Sequence, residues 1–212
     1  MTAQKNPRPP RAYRMGRRLD TVQGMRERIA AATYELHATI GPAKTTISAV
    51  AERAGVQRHT VYNHFPDLTA LFRACTEHGL RVTAFPDPDA WRRIADPAMR
   101  LRTGLSDLYG YYRVNARLMG NILRDMPLFA DIGGTEEYED RIDRTFAALT
   151  GGWIVGAAVQ PSLRAAIRHA MAFETWRSLT EPGLSDDQAR DMMVGFVLGI
   201  AGRTEASGPR RL

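Results

Sequence analysis

Apolar and small side chains recur along this chain at three- and four-residue intervals almost from end to end, and no period-two stretch of useful length interrupts them. The pattern predicts an all-helical protein. Its sharpest block is T-T-I-S-A-V-A-E-R-A-G-V-Q-R-H-T-V-Y-N-H-F-P, Thr45 to Pro66. Ile47, Val50, Ala51 and Ala54 fall at i, i+3, i+4 and i+7 and mark one helix face, with Thr46 placed to cap the first free amides. Gly55 follows where a left-handed helix-ending residue is wanted, and Val56 is an apolar plug between two helices. A second short helix is predicted from Gln57 to His64, with Val61 and Phe65 inward and Arg58, His59, Thr60 and Tyr62 outward near its start. This is the spacing of a helix-turn-helix, whose second helix sets its first side chains against base edges in the major groove of DNA.

The remaining pattern is longer in period and more apolar. Met25, Ile29, Ala32, Thr33, Leu36 and Ile40 mark a helix that opens at Asp20 and Gln23, ends near Gly41-Pro42, and completes a three-helix unit with the block above. His37 is expected at the surface or half-buried, and Lys44 within reach of a phosphate. From Asp67 a helix runs to about Ala84 with Leu68, Leu71, Phe72, Cys75 and Leu80 inward. Asp96-Pro97 opens a stripe of Leu101, Leu105, Leu108, Tyr109 and Tyr112, which continues through Leu118, Met119, Ile122 and Leu123 and stops before Pro127. Glycine pairs at 133–134 and 151–152 bracket a helix with Tyr138, Ile142, Phe146 and Leu149. Ser162 opens a helix that reaches Leu179, and the Ser185/Gln188 capping box opens the last one. These two helices, within 162–179 and 185–202, are apolar on most sides and must be covered on most sides, by the rest of the domain or by a second copy.

Charge divides the chain. Residues 1–66 hold 11 Lys and Arg against 4 Asp and Glu, whereas residues 67–212 hold 18 against 19, so the positive excess lies with the predicted DNA-reading unit. Such a patch attracts a polyanion by counterion release; the competing readings are an anionic membrane surface or simple solubility. Residues 1–19, with Pro7, Pro9, Pro10 and six basic side chains, are expected to be a disordered basic arm, and 203–212 a disordered tail. The domain plan is therefore arm 1–19, helix-turn-helix domain 20–66, helical regulatory and dimerisation domain 67–202, and tail. No run of about eighteen apolar residues occurs, so no membrane span is expected. The amino terminus lacks the apolar core of a secretory signal, and a cytoplasmic location is expected. The single cysteine, Cys75, excludes an internal disulfide and a cysteine-rich metal site, and reads as a small buried group. With no metal-ligand cluster, no glycine-rich phosphate loop and no nucleophile beside a base, neither catalysis nor a cofactor or metal is expected.

The block from Thr45 to Pro66 resembles the DNA-binding segment of the tetracycline-repressor (TetR) family of bacterial transcriptional regulators. The paired threonine, the alanine ahead of A-G-V and the closing T-x-Y-x-H-F carry the likeness, which spans Met25 to Leu71. The chain departs from the family at Asp67-Leu68-Thr69, where a phosphate-binding lysine is usual. The resemblance implies an all-α fold: an N-terminal three-helix helix-turn-helix DNA-binding domain plus a C-terminal helical ligand-binding and dimerisation domain. It also implies phosphate or base contacts from Thr46, Thr60, Tyr62 and His64 and a homodimer built through 162–179 and 185–202. With Arg58 and His59 at the start of the reading helix, the expected DNA-contacting set is Lys44, Thr45, Thr46, Gln57, Arg58, His59, Thr60, Tyr62 and His64. Trp91, Tyr109, Tyr112, Met119, Trp153, His169, Phe173 and Trp176 are candidates to line a cavity for a small, largely apolar effector, although such residues at helical spacing are more often plain core. The function expected is a homodimeric repressor released from a near-palindromic operator of double-stranded DNA by that effector. The alternatives are a regulator of the same fold that activates or has no ligand, and a helical enzyme or carrier.

Overall fold

The computed structural model describes residues 11–129, 133 and 135–202, with side chains described from Val22 onward. The predicted helices form, and no strand occurs among the described residues. In chain order they are α1 (Arg11–Thr39), α2 (Ile47–Ala54), α3 (Arg58–His64), α4 (Leu68–Val82), α5 (Pro88–Arg92), α6 (Pro97–Asp125), α7 (Glu136–Thr150), α8 (Gln160–Ala170), α9 (Phe173–Thr180) and α10 (Asp186–Ala201). No helix among the described residues is long and apolar enough to cross a membrane.

Caps read from sequence are present in the folded chain. Thr46, Asp67 and Asp96 each accept from an amide in the first turn of the helix that follows, and Ser185 and Gln188 make the reciprocal pair that opens α10. Two apolar clusters result. Ile29, Leu36, Val50, Val61, Phe65 and Leu71 close the amino-terminal unit, and α4 contributes to it before running into the larger body. In that body α6 packs on α10, with Leu101, Leu105, Leu108, Leu149, Ile167 and Val197 at its centre.

Four expectations are corrected. Helix α1 starts at Arg11 rather than Asp20, so residues 11–19 are helix and not disordered arm; residues 1–10 and the predicted tail 203–212 lie outside the described residues. Asp20 and Gln23 mark a place where a helix can start, and the helix-forming Arg-Ala-Tyr-Arg-Met run ahead of them lets it start sooner. The helix expected from Ser162 to Leu179 is two helices broken at Met171-Ala172. Ala170, Met171 and Phe173 all turn inward across the break. The carbonyls that the break leaves without helical partners accept from two buried phenols, Tyr109 onto Ala170 at 2.7 Å and Tyr112 onto Met171 at 2.6 Å. Ile40 and Leu68 are exposed, being at helix ends beyond their partner helices.

His37 is the fourth correction: it is 3% exposed rather than at the surface. Helix α1 is covered on two sides, by α2 and by α4 with α6, and its buried arc is therefore wider than one amphipathic stripe. The His37 ring lies 5.2 Å from that of Phe72, and its Nδ1 is 3.6 Å from the Cys75 sulfur. Burial lowers its pKa to about 4 and pushes the Cys75 thiol up to about 12.

A neutral buried histidine makes stability pH-dependent. Between about pH 4 and the unfolded value of 6.5 the unfolded chain binds more protons than the folded one, so stability falls as pH drops through that window. The expected loss is on the order of 2 kcal/mol at the acid end. Melting temperatures of the wild type and His37→Gln should therefore diverge between about pH 6.5 and pH 5, above the range where carboxylates protonate, with the wild type falling faster. Parallel curves would show that His37 titrates normally.

Candidate nucleic-acid interface and the cavity behind it

Helix α2 begins with the Thr46 hydroxyl accepting from the Ala49 amide at 3.1 Å, which leaves the hydroxyl proton free for a phosphate oxygen. It ends at Gly55, whose φ of 64° and ψ of 41° are left-handed, and the amide of Val56 donates to Ala51 at 2.9 Å to close the turn. A side chain at Gly55 would be strained there although no neighbour crowds it. Helix α3 then starts in the new direction. Val61 and Phe65 are buried; Gln57, Arg58, His59 and Tyr62 are exposed, and Thr60 and His64 half-buried. Among the described residues no hydrogen bond or ion pair engages the side chains of Gln57, Arg58, His59, Thr60, Tyr62 or His64. Tyr62, 52% exposed, is a large ring that packing alone does not explain.

Lys44 and Thr46 are exposed on the approach to α2. Thr45 is different: its hydroxyl donates to the Gly41 carbonyl at 2.8 Å and holds the preceding turn. Arg26, absent from the residues singled out in the sequence, donates to the His64 carbonyl and lies 4.5 Å over the Phe65 ring, so it caps α3 from behind. A positive charge on the otherwise polar edge of α1 carried no pattern signal.

The segment between α1 and α2 is tied to the body by α6. Asn121 donates to the carbonyls of His37 and Ala38 at 3.0 and 3.1 Å, and Arg117 to that of Thr39 at 2.9 Å. These are last-turn carbonyls of α1 with no helical partner of their own. Asp125 accepts from the Ala43 amide at 3.0 Å; Arg124 beside it, and then that amide, hold its carboxyl below the usual range. Gly41, at φ 90°, passes so close to Arg124 and Asp125 that a β-carbon would sit 2.2 Å from the guanidinium.

Behind this joint lies a cavity of about 560 Å³. Its floor is Tyr34 and His37 of α1 with Phe72 and Cys75 of α4; its walls are Tyr111, Tyr112 and Met119 of α6, Tyr138 of α7 and Phe173 of α9. A smaller cavity of about 130 Å³ reaches Val50 and Leu71 in the amino-terminal core, and His37, Phe72 and Phe129 border both. Phe72 stands 5.5 Å from Phe129, so three rings form the partition.

Of the residues expected at a ligand site, Tyr112, Met119 and Phe173 line this cavity. The other five are engaged elsewhere. Trp91 donates to Asp107 at 2.7 Å, Tyr109 to Ala170, Trp153 to Leu149 at 2.9 Å and Trp176 to Asp186 at 2.8 Å. His169 is exposed, its ring 6.4 Å from that of Phe196. Tyr34, Phe72 and Tyr138 line it as well; Tyr34 lies on α1, across the junction from the larger unit, while Phe72 and Tyr138 read in the sequence only as stripe residues of their helices.

Comparison with known proteins agrees with this arrangement. Residues 29–75 match the family of bacterial regulatory proteins described as tetR. The fold is similar to that of a TetR transcription regulator from Haloarcula marismortui, with a TM-score of 0.57, 20% identity, and coverage of 84% of this chain and 97% of that one. It is also similar to a TetR-like regulator from Rhodococcus sp. RHA1, with a TM-score of 0.54, 19% identity, and coverage of 92% and 100%. NalD, the secondary repressor of the MexAB-OprM multidrug efflux pump in Pseudomonas aeruginosa, is similar at a TM-score of 0.55 and 16% identity, with 85% and 96% covered. No curated protein matches the sequence at a significant level. The amino-terminal helix-turn-helix unit thus matches the tetR family of bacterial regulatory proteins over residues 29–75, and the chain that carries it has the all-helical fold of the solved regulators it resembles.

Proposed function

We propose that the protein is a homodimeric transcriptional repressor that leaves a near-palindromic operator when a small molecule fills the cavity behind its DNA-reading unit. The observation that carries the reading is the pairing of two features on the same helices. Arg58, His59 and Tyr62 stand exposed and unengaged on α3, and the cavity floor is made by α1 and α4, which pack against that unit.

In this reading Arg58 and His59 contact base edges, and an arginine can grip guanine O6 and N7 with two hydrogen bonds. Lys44, Thr46, Gln57, Thr60, Tyr62 and His64 hold phosphates or neighbouring bases and so fix register. Thr45 serves the turn that places Lys44 and Thr46. Basic residues ahead of Asp20 add phosphate neutralisation.

Dimerisation follows from α10. Met192, Gly195, Phe196 and Gly199 recur at i, i+3, i+4 and i+7 on an exposed stripe, with Ala165 and His169 of α8 exposed as well. Glycines in such a stripe let two backbones approach closely. Two copies joined there form a four-helix contact and set two α3 helices about 34 Å apart, one turn of DNA. An effector bound in the cavity presses on the His37, Phe72 and Phe129 partition and moves α4 and α1, which changes that separation. By linkage DNA then weakens effector binding equally, with a coupling of about 1–3 kcal/mol. The site of action is the cytoplasm, where the DNA is.

Arg58→Ala should lower affinity for operator DNA by about 1–3 kcal/mol and leave affinity for scrambled DNA and the melting temperature nearly unchanged. Fluorescence anisotropy on the two DNAs, using fragments the protein retains from its own genome, tests this; equal losses on both would remove the base-reading role. Phe196→Glu should convert the dimer to monomer in analytical ultracentrifugation and cut operator affinity with it. A variant that stays dimeric would place the interface elsewhere.

A further inference from the structure

We propose that the molecule this cavity takes is a lipophilic cation, a bulky apolar body carrying one delocalised or quaternary positive charge. This rests on the effector reading above and names the chemistry of that effector.

Most polar atoms of the wall are already engaged by the protein itself. Asn115 accepts from the Tyr34 hydroxyl at 3.3 Å and donates to the Tyr111 carbonyl at 2.8 Å. Tyr112 donates to Met171, and His37 and Cys75 face each other. A neutral ligand rich in donors and acceptors finds little to bond and leaves its own groups unsatisfied. What the wall offers freely is hydrocarbon and ring faces.

The rings gather at one end. Tyr111 and Tyr112 are 6.2 Å apart, Tyr112 meets Phe173 edge-on at 5.4 Å, and Tyr138 closes the same end. Ring faces are electron-rich and attract a cation that has shed its water. Carboxylates stand at that end too. Glu174 lines the cavity beside Tyr112 and Tyr138, whose hydroxyl pKa values are raised by burial above all, and then by neighbouring groups that include Glu174. It makes no hydrogen bond or ion pair of its own among the described residues. Glu139, also lining, accepts from Thr135 at 2.7 Å.

Of the cations nearby, Arg168 lines the cavity but lies 4.1 Å over the Phe146 ring and 3.6 Å from Asp143. Arg141, which is not among the lining residues, pairs with Glu137 at 2.9 Å, while its buried Nε has no partner among the described residues. An anion entering here meets ring faces and an unpaired carboxylate of its own sign. A lipophilic cation meets attraction from both, and its apolar body fills the remaining hydrocarbon space.

Three probes of nearly one shape and different charge decide the matter: tetraphenylphosphonium, neutral triphenylphosphine oxide and tetraphenylborate. Their affinities for the full chain are measured by equilibrium dialysis, alone and with operator DNA present. Tetraphenylphosphonium should bind about tenfold or more tighter than the other two. Glu174→Gln should weaken it several-fold while leaving the oxide unchanged, which also shows that the variant is folded. Met119→Trp, which fills the cavity, should exclude the cation. The oxide or the borate binding as tightly as the cation overturns the proposal, as does a Glu174→Gln variant with undiminished cation affinity, or no binding by any probe. If the oxide or borate binds best and releases operator, the effector reading stands and its cationic chemistry falls. If the cation binds as expected yet operator affinity does not change, the cation site stands and the effector reading falls.

Discussion

The last turn of α1 cannot satisfy its own carbonyls, and the rest of the molecule is arranged around how they are satisfied. Asn121 and Arg117 of α6 donate to them, and Asp125 accepts from Ala43 in the turn that follows. The carbonyl ends of α1 also carry partial negative charge, so an arginine there is favourable on two counts. Had those groups been left to water, the DNA-reading unit would be joined to its body by α4 alone. Instead it is held at two places, and the second sits immediately before α2. Gly41 suits that joint because its φ of 90° is one that other residues rarely adopt, and because a β-carbon there would push on the Arg124 and Asp125 side chains.

The strength of this joint sets what the cavity can do. Each hydrogen bond contributes about 1 kcal/mol net, so the four contacts together are worth a few kcal/mol. Coupling between an effector site and a DNA site is usually about 1–3 kcal/mol, the same order. A ligand that costs the chain one or two of these contacts therefore supplies enough energy to shift the proposed equilibrium, without unfolding anything. The partition of His37, Phe72 and Phe129 is where the pressure would be felt, because its rings face the cavity on one side and the amino-terminal core on the other. Packed rings have discrete arrangements rather than continuous ones, which favours a two-state response.

Much of the amino-terminal unit was legible in the sequence because local chemistry determines it. Thr46, Gly55 and Asp67 act on their own backbone neighbours, so their roles survive whatever surrounds them. The break at Met171-Ala172 was illegible for the opposite reason: it exists because Tyr109 and Tyr112, some sixty residues earlier, donate to the freed carbonyls. His37 was misplaced because a single stripe was read on a helix that is buried on two sides. The cavity was half-legible. Tyr112, Met119 and Phe173 are legible as aromatic and methionine residues of the larger unit, but the floor also takes Tyr34 and His37 from α1, which periodicity assigns to the smaller one. Tyr109 and Trp176 looked alike to Tyr112 in sequence, and only their hydrogen-bond partners separate core from lining.

The same local chemistry bears on the one departure from the tetR pattern. Asp67 accepts from the Ala70 amide at 2.7 Å, and a carboxylate at the start of α4 is well placed against the positive end of that helix. It secures the first turn of α4, but it also sets a negative charge where a phosphate would otherwise approach the free amides. In the proposed complex this end of α4 contributes repulsion rather than attraction, and the neutralisation must come from elsewhere. The excess of basic residues in 1–66, much of it ahead of Asp20, provides it. Because α1 begins at Arg11, part of that charge is carried on a helix continuous with the one that α6 holds at its other end. In the proposed complex, a shift in phosphate contact from α4 to the amino-terminal stretch would keep the electrostatic hold on DNA attached to the element whose position the body controls.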